Sequence, residues 1–264
     1  MAGTGFVGLR CPNHKIALEL IKASQVPIAA PSANKFGHIS PTKANHVFND
    51  FVDNNVLIID GGNCSVGIES SVIKILKLSN DEFEIKILRK GIVSEAGLKK
   101  VISESQLLSQ YKINITTRKI GGIKMDSKEA QIAPGFFIKH YSPNIDTFLL
   151  NRTNSLIKEN KKQIMFNDCV LIDFGGMFES IKSKLFKYYD CSPCKDVFEA
   201  INNLYDQLHL AEKEKCNLIL INNFYLNKVE GLKNEEHLDA IYERIFRSAG
   251  GKFAEMYEDG TVFI

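Results

Sequence analysis

The chain has almost no excess charge of either sign: 33 Lys and Arg stand against 31 Asp and Glu over 264 residues, a net charge of +2. That excludes the strongly basic surface of a dedicated nucleic-acid binder. No apolar run reaches the ~18 residues that span a bilayer, and the opening MAGTGFVGLRCPNH lacks the apolar centre of a secretory signal. The expectation is a soluble, cytoplasmic protein with no membrane partner. Of the six cysteines only Cys191 and Cys194 form a close pair, C-S-P-C. Without a second pair a structural zinc site would lack donors, and reduced thiols are the simpler reading. Repeats, low-complexity tracts, a P-loop, a G-x-G-x-x-G fingerprint, a Ser-His-Asp arrangement and paired catalytic carboxylates are also missing.

What remains is ordinary globular material, 44% hydrophobic and 24% charged, enough for one large domain or two modest ones. The first region, 1–105, reads as a helix at His14–Lys22, a strand at Val26–Ala30 and a helix at Pro41–Val52. Strands at Val56–Asp60, Val72–Leu78 and Phe83–Arg89 follow, forming a largely buried sheet. In the second helix Ala44, Val47, Phe48, Phe51 and Val52 make an apolar stripe, with Ser40 as N-cap and Pro41 in the first helical position. Residues 106–146 are irregular, with Gly121, Gly122, Pro134, Gly135 and Pro143, and read as a linker or active-site loop. From 147 to 264, Cys169–Phe174 and Leu218–Ile221 alternate with helical stripes at Val197–Leu208 and Leu238–Ala249, which predicts a second parallel α/β unit.

Three polar clusters interrupt the first region at strand ends, where open α/β sheets place ligands. Pro31-Ser32-Ala33-Asn34 leads through Gly37 to Ser40-Pro41-Thr42, so a phosphate near Ser32, Asn34 and Ser40 would meet helix-end N–H groups. A capped loop without a ligand fits the same residues. Asp60-Gly61-Gly62 through Gly67-Ile68-Glu69-Ser70-Ser71 is a glycine-containing turn able to cradle an anion, and weak by itself. Arg89 ends the strand ILRKG and could hold a phosphate or carboxylate bidentately, or pair with a surface Glu. Arg10 and His14 add an anion contact and a hydrogen-bonding ring, and His140-Tyr141 lies on a loop that could fold over a site. His38, His46, His209 and His237 show no metal spacing and read as surface residues.

In their order these strings resemble the threonylcarbamoyl-adenylate synthase family, the YrdC-like domain in its long, two-domain form. The matching segments are RCPNH at 10–14, PIAAPSANKFGHISPTKANHV at 27–47, IIDGG at 58–62, GIESSV at 67–72, ILRKG at 87–91 and APGFFIKHYSP at 133–143. LDAIYERIFRSAGGKF at 238–253 resembles, more loosely, the closing helix of the long form's extra domain. The family usually has Thr for Ser71 and Pro for Lys90, and begins upstream with a Thr-bearing strand and a Lys-Arg-Pro segment.

The resemblance implies an α/β fold. Residues 1–105 would be the C-terminal portion of a YrdC-like twisted mixed sheet, 106–146 a linker crossing the active site, and 147–264 a Rossmann-like domain. It implies conversion of L-threonine, bicarbonate and ATP, with Mg²⁺, to threonylcarbamoyl-adenylate and pyrophosphate, in service of the tRNA-modification machinery. Arg10, Ser32, Asn34, Ser40, Arg89 and Tyr141 would bind ATP; His14, the Ala30 carbonyl and Ser70 would bind threonine. No catalytic acid or base and no protein metal ligand is implied, since the reaction rests on positioning and charge neutralisation. The expectation is also that roughly half of the catalytic domain is missing. That leaves open a non-catalytic nucleotide- or RNA-binding module, with Lys99, Lys100, Lys112, Arg118, Lys119 and Lys124 as contacts, or a fragment that aggregates.

Overall fold

The computed structural model describes residues 5–117, 140–153 and 161–264. Alternating Ile and polar residues form strand β1 (Val72–Lys77), which pairs antiparallel with β2 (Glu82–Arg89), Ile73 facing Ile87 and Ile75 facing Ile85. Helix α3 (Glu95–Glu104), capped by the Ser94 hydroxyl accepting from the Gly97 N–H, carries the chain to β3 (Lys112–Thr117), parallel to β2. Part of the stretch expected to be irregular is thus a strand of the first sheet. That sheet is covered on one side of its width only: Ile85 and Ile87 are buried, while Ile73 and Ile75 on the edge strand are 40% and 60% exposed.

The second module is a seven-stranded sheet. Five strands run parallel: β4 (Thr147–Arg152), β6 (Cys169–Asp173), β7 (Lys187–Asp190), β8 (Leu218–Asn222) and β9 (Phe253–Met256). β5 (Gln163–Ile164) and β10 (Val262–Phe263) add an antiparallel edge, giving the order β5-β10-β9-β4-β8-β6-β7. All five residues of β6 are buried, as expected of a parallel strand covered on both faces. Helix α4 (Val197–Lys213), capped by Asp196, buries Val197, Ala200, Ile201, Leu204, Tyr205 and Leu208. Helix α5 (Leu238–Ser248) buries Ala240, Ile241 and Ile245 in the same core. Phe178, Ile181, Leu171 and Leu220 fill the opposite face.

The two modules share a core. Ile39 and Ile68 from the first region and Tyr141 from the end of the linker are buried against α4 and α5. Gly67 lies so close to α4 that a Cβ there would stand 2.2 Å from the Ile201 carbonyl oxygen. Only glycine permits that approach.

The apolar runs 26–30 and 56–60 are not strands: no strand of the described residues lies beside them, and an unpaired apolar run has no ladder to hold it. Val26, Ile28, Val56, Leu57 and Ile59 are all exposed. Helix α1 (Lys15–Ser24) matches its expected span but buries no residue. Helix α2 is shorter than expected, Ala44–Asp50, and its N-cap is Lys43, which makes no side-chain cap bond; Ser40 lies upstream of the cap position and its hydroxyl donates to Glu69 instead. Its stripe is inverted: Phe48 is exposed and the buried residues are His46 and Asp50. The histidines read as surface residues are not. His46 and His209 are buried and their rings stack at 3.8 Å, while His38 bridges Asp50 and Glu212.

Candidate functional site

Strand β2 ends in Arg89, whose side chain is drawn inward; the residue is only 4% exposed. Its Nε and Nη2 donate to the Ser70 carbonyl at 3.1 and 3.0 Å, joining the strings ILRKG and GIESSV. Ser71 reinforces the junction, its hydroxyl donating to the Val93 carbonyl at 2.8 Å and accepting from the N–H groups of Gly91 and Val93 at 3.1 Å. Gly91 is required here: a Cβ would meet the Ser71 nitrogen at 2.3 Å. Arg89 is therefore not the exposed ion-pair residue that its sequence position also allowed.

Beside Ser70, Glu69 points the other way, into the shared core. One carboxylate oxygen accepts from the Ser40 hydroxyl at 2.7 Å; the other accepts from the Tyr205 hydroxyl at 3.2 Å and from Arg244 Nε at 3.1 Å. Burial would raise the Glu69 pKa, but the Arg244 charge, the Ser40 hydrogen bond and the Arg89 charge together hold it below the ordinary carboxylate value. Tyr141, in a left-handed backbone conformation (φ 60°), packs its ring 5.6 Å from Tyr205 and 4.1 Å from His140. Burial and the Glu69 charge push its phenol up to about 12, so it stays a neutral donor. His140 is held neutral too, its pKa lowered first by burial, and its Nδ1 is buried without a hydrogen-bond partner among the described residues.

Of the expected site residues, Ser40, Ser70, Arg89 and Tyr141 thus belong to one network around Glu69. His14 belongs to another. It caps α1 by accepting from the Ala17 N–H at Nδ1, which leaves Nε2 to donate to the Gly61 carbonyl at 3.3 Å. Asn34 donates to the Lys35 and His38 carbonyls while its Oδ1 is buried and unpartnered among the described residues. Arg10, Ala30 and Ser32 lie exposed on the N-terminal segments and are not drawn into either network. Within 133–143, positions 133–139 lie outside the described residues, as do Arg118, Lys119 and Lys124.

The carboxyl ends of the parallel strands in the second module, the usual ligand position of such a sheet, are filled by the protein's own carboxylates. Asp190 accepts from the N–H groups of Gly175, Gly176 and Ser192, and Asp173 from those of Phe174 and Phe178, from the Tyr188 hydroxyl and from Asn222. The polar cluster facing the first region is the better candidate.

Sequence reasoning passed over Glu69, Tyr205 and Arg244. The signal was available for Arg244, a charged residue between Ile241 and Ile245 on the inward face of a helix.

Fold and site together define a two-module α/β protein whose second module clamps the polar loops of the first. Residues 93–250 match the family model described as "Threonylcarbamoyl-AMP synthase, C-terminal domain", and residues 1–91 match the Sua5, yciO and yrdC model described as "Telomere recombination". The chain belongs to the threonylcarbamoyl-AMP synthase family. It is 29% identical over 256 residues to the threonylcarbamoyl-AMP synthase of Bacillus subtilis, covering 95% of this chain and 65% of the relative. Identity to that of Pyrococcus abyssi is 34% over 164 residues, covering 62% of this chain and 43% of the relative. The crystal structure of P. abyssi Sua5 complexed with L-threonine superposes with a TM-score of 0.63 at 26% identity, over 93% of this chain and 64% of that one. The chain therefore spans less than two thirds of each of these proteins. Among the described residues, no helix is long and apolar enough to cross a membrane.

Proposed function

We propose that the chain carries an L-threonylcarbamoyladenylate synthase site and acts as a nucleotidyltransferase in the cytoplasm. The threonine amine is first carboxylated by bicarbonate with loss of water. The carbamate oxygen then attacks the α-phosphorus of ATP, and pyrophosphate leaves. The product would pass to the tRNA-modification machinery. The observation that supports this reading is that the buried Ser40 and Tyr141 surround Glu69 while Arg89 holds the backbone carbonyl of the adjacent, exposed Ser70, so hydroxyls and a guanidinium meet at one place. Such a set suits a nucleotide and an amino-acid carboxylate and needs no protein acid or base. Mg²⁺ would arrive on the nucleotide phosphates, because the Glu69 carboxylate is already engaged by Ser40, Tyr205 and Arg244. His14, Ala30, Ser32, Asn34 and Arg10 complete the proposed set from the N-terminal side.

Titration calorimetry with MgATP and L-threonine, joined to pyrophosphate release, tests the reading. Release should require both threonine and bicarbonate. Arg89→Lys, which keeps the charge but loses the two-point hold on Ser70, should weaken ATP binding by roughly tenfold or more. RNA retention without turnover would favour a binding module instead, a reading the comparisons do not favour.

A further inference from the structure

We infer that Arg244, on α5 of the second module, is the positioning residue that sets the geometry of the substrate loops in the first. The inference rests on the proposed function above, because it concerns the loops that carry Ser70 and Arg89. Arg244 is fully buried, and its guanidinium fork engages both loops at once. Nε donates to the Glu69 carboxylate at 3.1 Å, Nη2 to the Glu69 carbonyl at 3.2 Å and Nη1 to the Lys90 carbonyl at 2.5 Å. Nη1 also donates to the Ala240 carbonyl one turn back, at 3.2 Å, which ties the fork to its own helix. Glu69 immediately precedes Ser70 and Lys90 immediately follows Arg89, so one side chain fixes the backbone on the outer side of each proposed substrate contact.

The loops also hold each other through Arg89 and the Ser70 carbonyl and through the Ser71 hydroxyl, but those bonds fix the loops only relative to one another. Arg244 references both to a rigid helix. Through Glu69, which Tyr205 on α4 also holds, it reaches Ser40 as well, so one guanidinium connects three separate loops. A lysine could not replace it, because one ammonium lacks the planar fork that addresses a carboxylate and two carbonyls simultaneously. Lys90 and Asp239 form a second tie between the same loop and α5, on the outer side.

The test compares the wild-type chain with Arg244→Lys and with Ile245→Val, a neighbour on the same helix that loosens the shared core but whose side chain makes no hydrogen bond to either loop. Both variants should melt a few degrees lower. Only Arg244→Lys should speed amide hydrogen exchange selectively in residues 66–72 and 87–91, and only it should weaken ATP binding, by roughly ten- to a hundredfold. Exchange in those two segments that is unchanged in Arg244→Lys, or raised equally in Ile245→Val, overturns the inference. A wild-type chain that binds neither MgATP nor threonine overturns the functional reading instead, and the exchange data separate that failure from this one.

Discussion

At the scale of single residues, two glycines show how the motif strings work. Gly67 and Gly91 both stand where a Cβ would strike backbone: Gly67 against the Ile201 carbonyl at 2.2 Å, Gly91 against the Ser71 nitrogen at 2.3 Å. Backbone inside a helix or a pinned turn cannot move aside as a flexible side-chain tip can. Gly67→Ala should therefore cost about 3 kcal/mol or more and separate the modules, read as a lower urea midpoint and loss of tertiary circular dichroism. The sequence places Gly67 in a turn that could cradle an anion and Gly91 at the end of the ILRKG string. Their structural reason, close approach to α4 and to the GIESS backbone, depends on partners distant along the chain. The role of Glu69 is hidden for the same reason: it reads as one member of that turn until Arg244 is brought to it across 175 positions.

At the scale of elements, periodicity was a good guide wherever an apolar stripe had a sheet to cover. α4 and α5 carry their stripes onto the five parallel strands, and the expected spans and buried residues agree with the structure. β1 and β2 were likewise legible, because alternation of Ile with Lys and Glu admits one register. α2 does not follow that rule. Its apolar residues suggest a face toward a core, yet the helix turns His46 and Asp50 inward, since these make the polar contacts that close the junction. Asp50 accepts from the Lys35 N–H at 3.0 Å and pairs with His38 at 2.8 Å; His46 accepts from the Thr42 N–H at 3.1 Å. Phe48→Ser should therefore change stability of this chain by no more than about 0.5 kcal/mol. Asp50→Ala, which strips the Lys35 N–H and His38 of their acceptor, should cost about 1–3 kcal/mol. Equal losses in chemical denaturation would show that α2 packs as its stripe suggests.

At the scale of the whole molecule, the modules are joined by a histidine junction whose partners lie too far apart along the chain for any local pattern to reveal. His38 donates from one ring nitrogen toward Asp50 in the first region and from the other toward Glu212 on α4, at 2.8 Å each. Burial alone would lower its pKa, but the Glu212 and Asp50 hydrogen bonds and charges outweigh that and raise it to about 8. Next to it His209 donates to the Ser40 carbonyl at 3.2 Å and stacks on His46. Burial, and the neighbouring His46, lower the His209 pKa to about 4, and burial lowers that of His46 as well. The two halves of the junction thus respond to pH in opposite senses. The folded pKa of His38 lies above its ordinary 6.5, so its contribution is complete below pH 6.5 and is lost as pH rises through 8. For His209 the folded pKa lies below 6.5, so its contribution is complete above pH 6.5 and is lost as pH falls toward 4. Docking should be firmest near pH 6.5, with the melting temperature falling by a few degrees on either side. His38→Gln should flatten the alkaline limb and, because His38 holds the Glu212 carboxyl below its ordinary value, soften the acid limb as well; His209→Gln should flatten the acid limb and leave the alkaline one intact. An alkaline limb that survives His38→Gln, or one that His209→Gln removes, would show that the junction is not what sets the pH dependence of folding.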